Sequence, residues 1–314
     1  MCYTLEFVVD YPISPLYNTF TEVTSVTYYK SEVIMKKVIY CFSATGNSLN
    51  AARIIAKEMG GATIVSVKKG TKSDLAADAD VVGFICPVYE WDIPETMKDF
   101  AENLTVNTKA YTFMVATYVA IHGRCFETID AILREKGTAL HYGKPLRCVA
   151  SQCIAYEPFP APKLMVPYSD RCARKIGKQI AARKTNKYPR MSPITRNRYG
   201  KAMQPFMDVQ HEYDKGFYTS DNCVGCGLCE KLCPCENITM SEKKPQWNHN
   251  CIGCNACVVY CPKKAIQYKT PEAYEKLDNI ITRRMGLPEK RTRYHNPHVA
   301  AKDIISDGEK VAVE

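Results

Sequence analysis

Cys223-Val-Gly-Cys226-Gly-Leu-Cys229-Glu-Lys-Leu-Cys233-Pro234 and Cys251-Ile-Gly-Cys254-Asn-Ala-Cys257-Val-Val-Tyr-Cys261-Pro262 are two copies of one run, C-x2-C-x2-C-x3-C-P. Matching cysteines stand 28 positions apart, and the flanks repeat as well, with Asn222 answering Asn250 and Ile238 answering Ile266. This spacing is the ligand run of a [4Fe–4S] cluster. Three thiolates at three-residue intervals, on a chain that winds around the cube, can each reach a different iron. The fourth iron needs a ligand from elsewhere. The proline after each fourth cysteine ends the helical turn that presents it. Zinc is the competing reading, but a four-cysteine zinc site pairs two C-x2-C hooks and would leave cysteines of each run unused. Disulfides fit poorly, because thiols destined for iron are not kept in an oxidising compartment.

These eight account for half of the sixteen cysteines, and the 314 residues are far more than two such runs need, so at least two domains are expected. Apolar residues make up 46% of the chain, enough for an ordinary core. The best candidate for a membrane span, Ala110–Ile121, is twelve residues with threonines, too short to cross, and reads as a buried strand. No secretory signal is legible, since the first basic residue is Lys30. A cytoplasmic location is the expectation.

A second stretch, Met35-Lys-Lys-Val-Ile-Tyr-Cys-Phe-Ser43-Ala-Thr45-Gly46-Asn47-Ser48, sets the character of the first half. Val38–Phe42 is a buried first strand, and Leu49–Gly60 carries apolar residues at helical spacing. Hydroxyl residues, a glycine and an asparagine therefore sit between a strand and a helix N-terminus. Free backbone N–H groups and the positive end of the helix dipole converge there on an anion. Neither the nucleotide P-loop nor G-x-G-x-x-G is present. Further strands are expected at Ala62–Val67, Ala79–Cys86, Ala110–Thr117 and Arg147–Ile154, with helices at Pro94–Asn103, Arg124–Lys136 and Arg171–Lys184. Alternating strands and helices imply a parallel sheet.

Ser43 to Ser48 resembles the phosphate loop of flavodoxins, and the arrangement of the whole chain resembles the flavodoxin–ferredoxin fusion proteins of anaerobes. The resemblance implies an α/β fold: a flavodoxin-like, doubly wound parallel five-stranded sheet of order 2-1-3-4-5, then a small α+β two-cluster ferredoxin domain. It implies FMN, its phosphate held by Ser43, Thr45, Gly46, Asn47 and Ser48. The flavin ring would lie between Tyr89 and Trp91 in the loop after strand three and the Tyr118–Gly123 loop after strand four, at the switch point of the sheet. The bland reading of Tyr89 and Trp91 is closure of the core. Val119 and Ala120 stand where the family has glycine, and His122 is either a protonation-linked tuner of the flavin or a solvated loop side chain. In two-cluster ferredoxins the last cysteine of each run serves the other cluster. The resemblance thus gives one cluster Cys223, Cys226, Cys229 and Cys261, and the other Cys251, Cys254, Cys257 and Cys233.

The domain boundaries read from this are an extension at 1–34, a flavodoxin-like domain at 35–186, a basic linker at 187–213, a ferredoxin domain at 214–270 and a tail at 271–314. Met35 reads as the natural start. The tail segment Arg291–Pro297 is expected to fold back on the ferredoxin domain. Cys41, Cys86, Cys148 and Cys153 fall in or beside apolar runs as inert packing residues, whereas Cys235, two residues after Cys233, is expected to pack beside the cluster, its other reading being an alternative ligand when a cluster is damaged. Lys163–Lys201 holds twelve Lys/Arg against Asp170 alone, in a chain of net charge +9. This block is a docking site for an acidic redox partner, a solvated face or a weak nucleic-acid contact. No nucleic-acid-binding motif and no membrane segment accompany it. The function expected is an electron carrier relaying electrons between two [4Fe–4S] clusters and FMN. Its alternatives are a binding or assembly module with a vestigial flavin site, a flavin-dependent reductase of a small substrate, and a zinc-stabilised nucleic-acid binder. No acid–base pair marks a substrate-converting enzyme.

Overall fold

In the computed structural model, residues 35–279 and 281–311 are described, so the 1–34 extension lies outside them. The chain alternates β1 (Lys37–Cys41), α1 (Asn47–Glu58), β2 (Ala62–Ser66), β3 (Val81–Pro87), α2 (Glu95–Asn103), β4 (Tyr111–Tyr118), α3 (Cys125–Glu135) and β5 (Tyr142–Arg147). Helix α4 (Pro162–Ala181) closes the first half against α1. β2-β1-β3-β4-β5 pair in parallel, with Tyr40 level with Val65 and Phe84, and Phe84 level with Met114. This is the flavodoxin strand order. β3 and β4 are buried along almost their whole length, because helices cover both faces of a parallel sheet and leave no polar side for alternation.

Three elements depart from the sequence reading. The fifth strand is Tyr142–Arg147, not Arg147–Ile154. It is an edge strand whose Lys144 and Pro145 dilute the β signal, and an edge tolerates proline. The apolar run behind it, with Cys148, Val149, Ala150, Cys153 and Ile154 all buried, is instead a loop under the carboxyl ends of the strands. The last helix of this half begins at Pro162, nine residues before the expected Arg171, because proline is accommodated in a first helical turn. The sheet also has a sixth strand. Following α5 (Pro193–Asp208), which occupies most of the expected linker, and the ferredoxin-like half, the chain returns through α9 (Ala301–Ile305) to lay β10 (Gly308–Val311) antiparallel on β2. Arg53 fastens this return, Nε donating to Glu309 at 2.5 Å and Nη2 meeting Asp303 at 3.1 Å.

The second half holds β6 (Phe217–Thr219), α6 (Leu228–Leu232), β7 (Ile238–Ser241), β8 (Lys244–Trp247), α7 (Ala256–Val259), β9 (Ile266–Tyr268) and α8 (Glu272–Glu275). β6 pairs with β9 and β7 with β8, both antiparallel. The 28-residue repeat is written into the backbone: φ is +67° and +65° at Gly225 and Gly253, +71° and +60° at Gly227 and Asn255, and +53° and +48° at Glu236 and Lys264. Equivalent left-handed residues start both short helices and turn the chain after both fourth cysteines. Both copies also feed the core: Leu232, Ile238, Ala256, Val258, Ile266 and Tyr268 are buried in the main apolar cluster. The halves pack as one unit.

Candidate functional site

The first cysteine run forms a loop and one helical turn over a small cavity lined by Cys223, Cys226, Cys229 and Cys261. Cys261, the last cysteine of the second run, thus joins the first three of the other. Burial first, and then the nearby Cys233, raise the Cys251, Cys254 and Cys257 thiols, and Cys235 does the same for Cys251 and Cys254. Backbone N–H groups reach the sulfurs at repeated positions, Asn237 N to Cys233 Sγ at 3.2 Å and Ala265 N to Cys261 Sγ at 3.3 Å. Gly253 N adds a third such bond to Cys251 at 3.4 Å. Among the described residues, no three Cys, His, Asp or Glu side chains converge on a point that could hold a single ion. The thiols instead surround a space, and four thiols with N–H donors aimed at sulfur suit a cube whose irons each take one thiolate.

The two groups differ in burial. Cys226 is exposed and its neighbour Val224 is 59% exposed, whereas Cys257 is buried. Burial pushes the Cys254 and Cys257 thiols well above the ordinary range. Asp214, a buried carboxylate held by Asn237 Nδ2 at 2.8 Å and by His249 Nδ1 at 2.8 Å, lies on the side of the second group. Cys235 is buried with its sulfur 3.5 Å from the Thr96 hydroxyl of α2, a packing position between the halves.

A cavity of about 500 Å³ opens at the carboxyl ends of β1, β3, β4 and β5. One end is the β1–α1 turn. The N–H groups of Thr45, Gly46, Asn47 and Ser48 have no protein acceptor among the described residues, and they lead into the N-terminus of the 12-residue α1. That is a ready anion cradle. The side chains of the turn mostly hold it in shape. Ser43 Oγ accepts Leu49 N at 3.2 Å, Thr45 Oγ1 donates to Ser151 at 2.8 Å, Asn47 Nδ2 donates to Val149 O at 2.9 Å, and the Ser48 and Thr117 hydroxyls are 2.7 Å apart. Gly46 has φ +92°, and a Cβ there would stand 2.8 Å from Val299 Cβ.

Tyr89, Trp91 and Tyr118 line the other part of the cavity, with Val119 and Ala120. Tyr89 and Asp92 exchange backbone hydrogen bonds of 2.9 and 2.8 Å around a tight turn in which Glu90 and Trp91 both have positive φ. Gly123 lies outside the cavity lining: it is the place where the loop after β4 touches Trp91, and a Cβ would fall 1.7 Å from the Trp91 carbonyl oxygen. Arg124 N donates to that same oxygen at 2.7 Å. Gly123 therefore fixes the loop after β3 and the loop after β4 to each other. His122 is also outside the lining, its ring near Phe126.

Sequence reasoning missed two contributions. The ferredoxin-like half supplies one wall of the cavity, through Ile252, Gly253 and Cys254 of the second cysteine run and through Tyr213 and Tyr274. Gln152 Nε2 donates to Gly253 O at 3.4 Å across this junction. The tail contributes a strap. Asn296 N donates to Thr45 O at 2.8 Å and Tyr294 Oη to Asn47 Oδ1 at 3.2 Å, while Tyr260 stacks on His295 at 4.7 Å and donates to Val299 O at 3.4 Å. The tail thus returns to the ferredoxin-like half, as expected, and grips the anion cradle at the same time. No sequence signal marks this, because the strap has neither apolar periodicity nor a repeat.

Residues 222–266 match the family model of the 4Fe-4S dicluster domain. This part of the chain is an iron–sulfur domain, and it follows a flavodoxin-like α/β half. Among solved structures, a flavodoxin from the domain Archaea aligns at 16% identity, covering 47% of this chain and 97% of its own, with a TM-score of 0.35. The two-electron reduced flavodoxin of Megasphaera elsdenii aligns at 17% over 46% of this chain and 98% of its own, with a TM-score of 0.34. The rubredoxin oxygen:oxidoreductase of Desulfovibrio gigas aligns at 14% over 47% of this chain and 35% of its own, with a TM-score of 0.34. No curated protein sequence gives a significant match. Among the described residues no helix is long and apolar enough to cross a membrane.

Proposed function

We propose that this chain is an electron carrier of the flavodoxin–ferredoxin fusion type, holding two [4Fe–4S] clusters and one FMN. Cys223, Cys226, Cys229 and Cys261 hold cluster one; Cys251, Cys254, Cys257 and Cys233 hold cluster two. Thr45–Ser48 take the FMN phosphate through their backbone N–H groups, and Tyr89, Trp91 and Tyr118 flank the ring. When bound, FMN supplies the ability to take one or two electrons, which matches one-electron clusters to two-electron chemistry. The chain's residues bind it, orient it and keep water from it.

One observation carries this reading: Cys254 and its neighbours Ile252 and Gly253 line the same cavity as the anion cradle. A cluster held there lies against the flavin site, with cluster one farther out at the surface. That order gives an electron path of exposed cluster, buried cluster, flavin. Val119 and Ala120, in the cavity where the resembling family has glycine, favour the second reading of a ferredoxin module with a vestigial flavin site.

Iron, acid-labile sulfide, zinc and FMN per chain, measured on protein purified without oxygen, separate the readings. The expected result is about eight iron and one FMN. About eight iron with no flavin after added FMN would leave the module reading, and zinc in place of iron would overturn both.

A further inference from the structure

We infer that the mouth of the flavin cavity and the outward stripe of α4 form one docking face for a small acidic redox protein. The inference rests on the electron-carrier reading and names where the partner meets the chain. Leu164, Tyr168, Arg171, Lys175 and Lys178 stand three or four residues apart and are all exposed, so they share one solvent-facing stripe. Leu164 is 77% and Tyr168 49% exposed. At the N-terminal end of the stripe, the exposed rings of Tyr156 and Phe159 sit edge to face at 5.1 Å, and both line the cavity. The face therefore has an apolar patch at the redox site and cations beside it.

The cations are unmatched. Lys163, Arg171, Arg174, Lys175 and Lys178 make no ion pair with the described residues. Residues 144–190 contain two acids, and both are engaged: Glu157 with Arg291 at 3.3 Å, and Asp170 with Asn50 at 2.7 Å and His298 at 3.6 Å. Around cluster one the charge is mixed, with Lys231, Lys243, Lys244 and Lys264 interleaved with Asp221, Glu230 and Glu242. An acidic partner is steered to the first face and not to the second. A membrane is the poorer fit. An interfacial helix buries an apolar stripe in lipid along its length, whereas the apolar stripe of α4, with Val166, Ala173, Ile176 and Ile180, is already buried in the protein. A nucleic acid would use the cations but not the apolar rim, which suits a protein interface.

The test uses the full-length protein and a small acidic ferredoxin as probe, with association measured calorimetrically at ~50 and ~300 mM salt. Lys163→Glu/Arg171→Glu/Arg174→Glu/Lys175→Glu should weaken association at low salt by at least ~10-fold. Lys231→Glu/Lys243→Glu/Lys244→Glu/Lys264→Glu should change it less than ~2-fold. Phe159→Ser should weaken it without altering the salt dependence, and circular dichroism should show all variants folded. Equal losses from both charge sets would overturn the inference. So would wild-type association that is absent or insensitive to salt, or tighter binding to phosphatidylserine vesicles or to a DNA duplex than to the ferredoxin. Association is read without reference to flavin, so flavin-free protein that still docks would sink the carrier reading and leave the docking face standing.

Discussion

The two cysteine runs share a spacing and a backbone, yet they occupy different surroundings. The first looks outward: Cys226 is exposed and its cavity opens beside Val224 at the surface. The second is folded inward, with Cys257 buried and Cys254 set into the wall of the cavity at the Thr45–Ser48 cradle. A repeated ligand pattern thus dictates what each run can bind, while the surrounding packing dictates what each site can reach. Duplication alone would make the two sites interchangeable. The flavodoxin-like half breaks the equivalence by covering one of them.

The largest effect is expected from removing the fourth ligands. Cys233→Ser, although it lies in the first run, should remove cluster two and leave about four iron per chain. Cys261→Ser should remove cluster one instead, with the survivors distinguished by electron paramagnetic resonance. If Cys233→Ser eliminated the same signal as Cys226→Ser, each run would be serving its own cluster.

Next in size is the strap that ties the second run's half to the anion cradle. Gly46→Val places a β-branched side chain at φ +92° and against Val299. The backbone strain alone is about 1–2 kcal/mol, so FMN affinity should fall by roughly 10-fold or more while iron content stays constant. Unchanged FMN affinity would show that strap and cradle are not in register.

A smaller effect is expected where the strap ends. Arg53 bridges Glu309 and Asp303 at a partly exposed site, so Arg53→Met should cost about 1 kcal/mol. The expected readout is a lower denaturant midpoint with both clusters and flavin retained. The smallest effect concerns thiols outside the runs. Burial pushes Cys148 up to about 12 from 9.0, so folding favours its neutral form. The stability tied to it is present below pH 9 and is lost as pH rises through 12. Native protein at pH 8 should therefore leave Cys148 unalkylated by iodoacetamide, as mass spectrometry would show.

Much of the fold and of the cradle is legible in the sequence. β1 to β4 announce themselves as apolar runs, and the Ser43–Ser48 turn between a strand and a helix marks the cradle. β5 is hidden because an edge strand needs little apolar sequence, and the richer run at Cys148–Ile154 mimics a strand although it is a buried loop. β10 reads Gly308-Glu-Lys-Val311 and carries no strand signal; its register comes from pairing with β2. The cysteine pattern is plain, but nothing in it separates an outward run from an inward one. That difference arises from contacts such as Gln152 to Gly253 and Thr96 to Cys235, which join residues more than 100 positions apart.

Cys226→Ser and Cys254→Ser, purified side by side without oxygen and assayed for bound FMN, test the inward placement of the second run most directly. The inward placement predicts that Cys226→Ser keeps FMN at the wild-type ratio, because its cavity shares no lining residue with the cavity at the cradle. Cys254→Ser should lose most of its flavin along with cluster two, because the cavity loses a wall. Equal retention in both, or greater loss in Cys226→Ser, would contradict it.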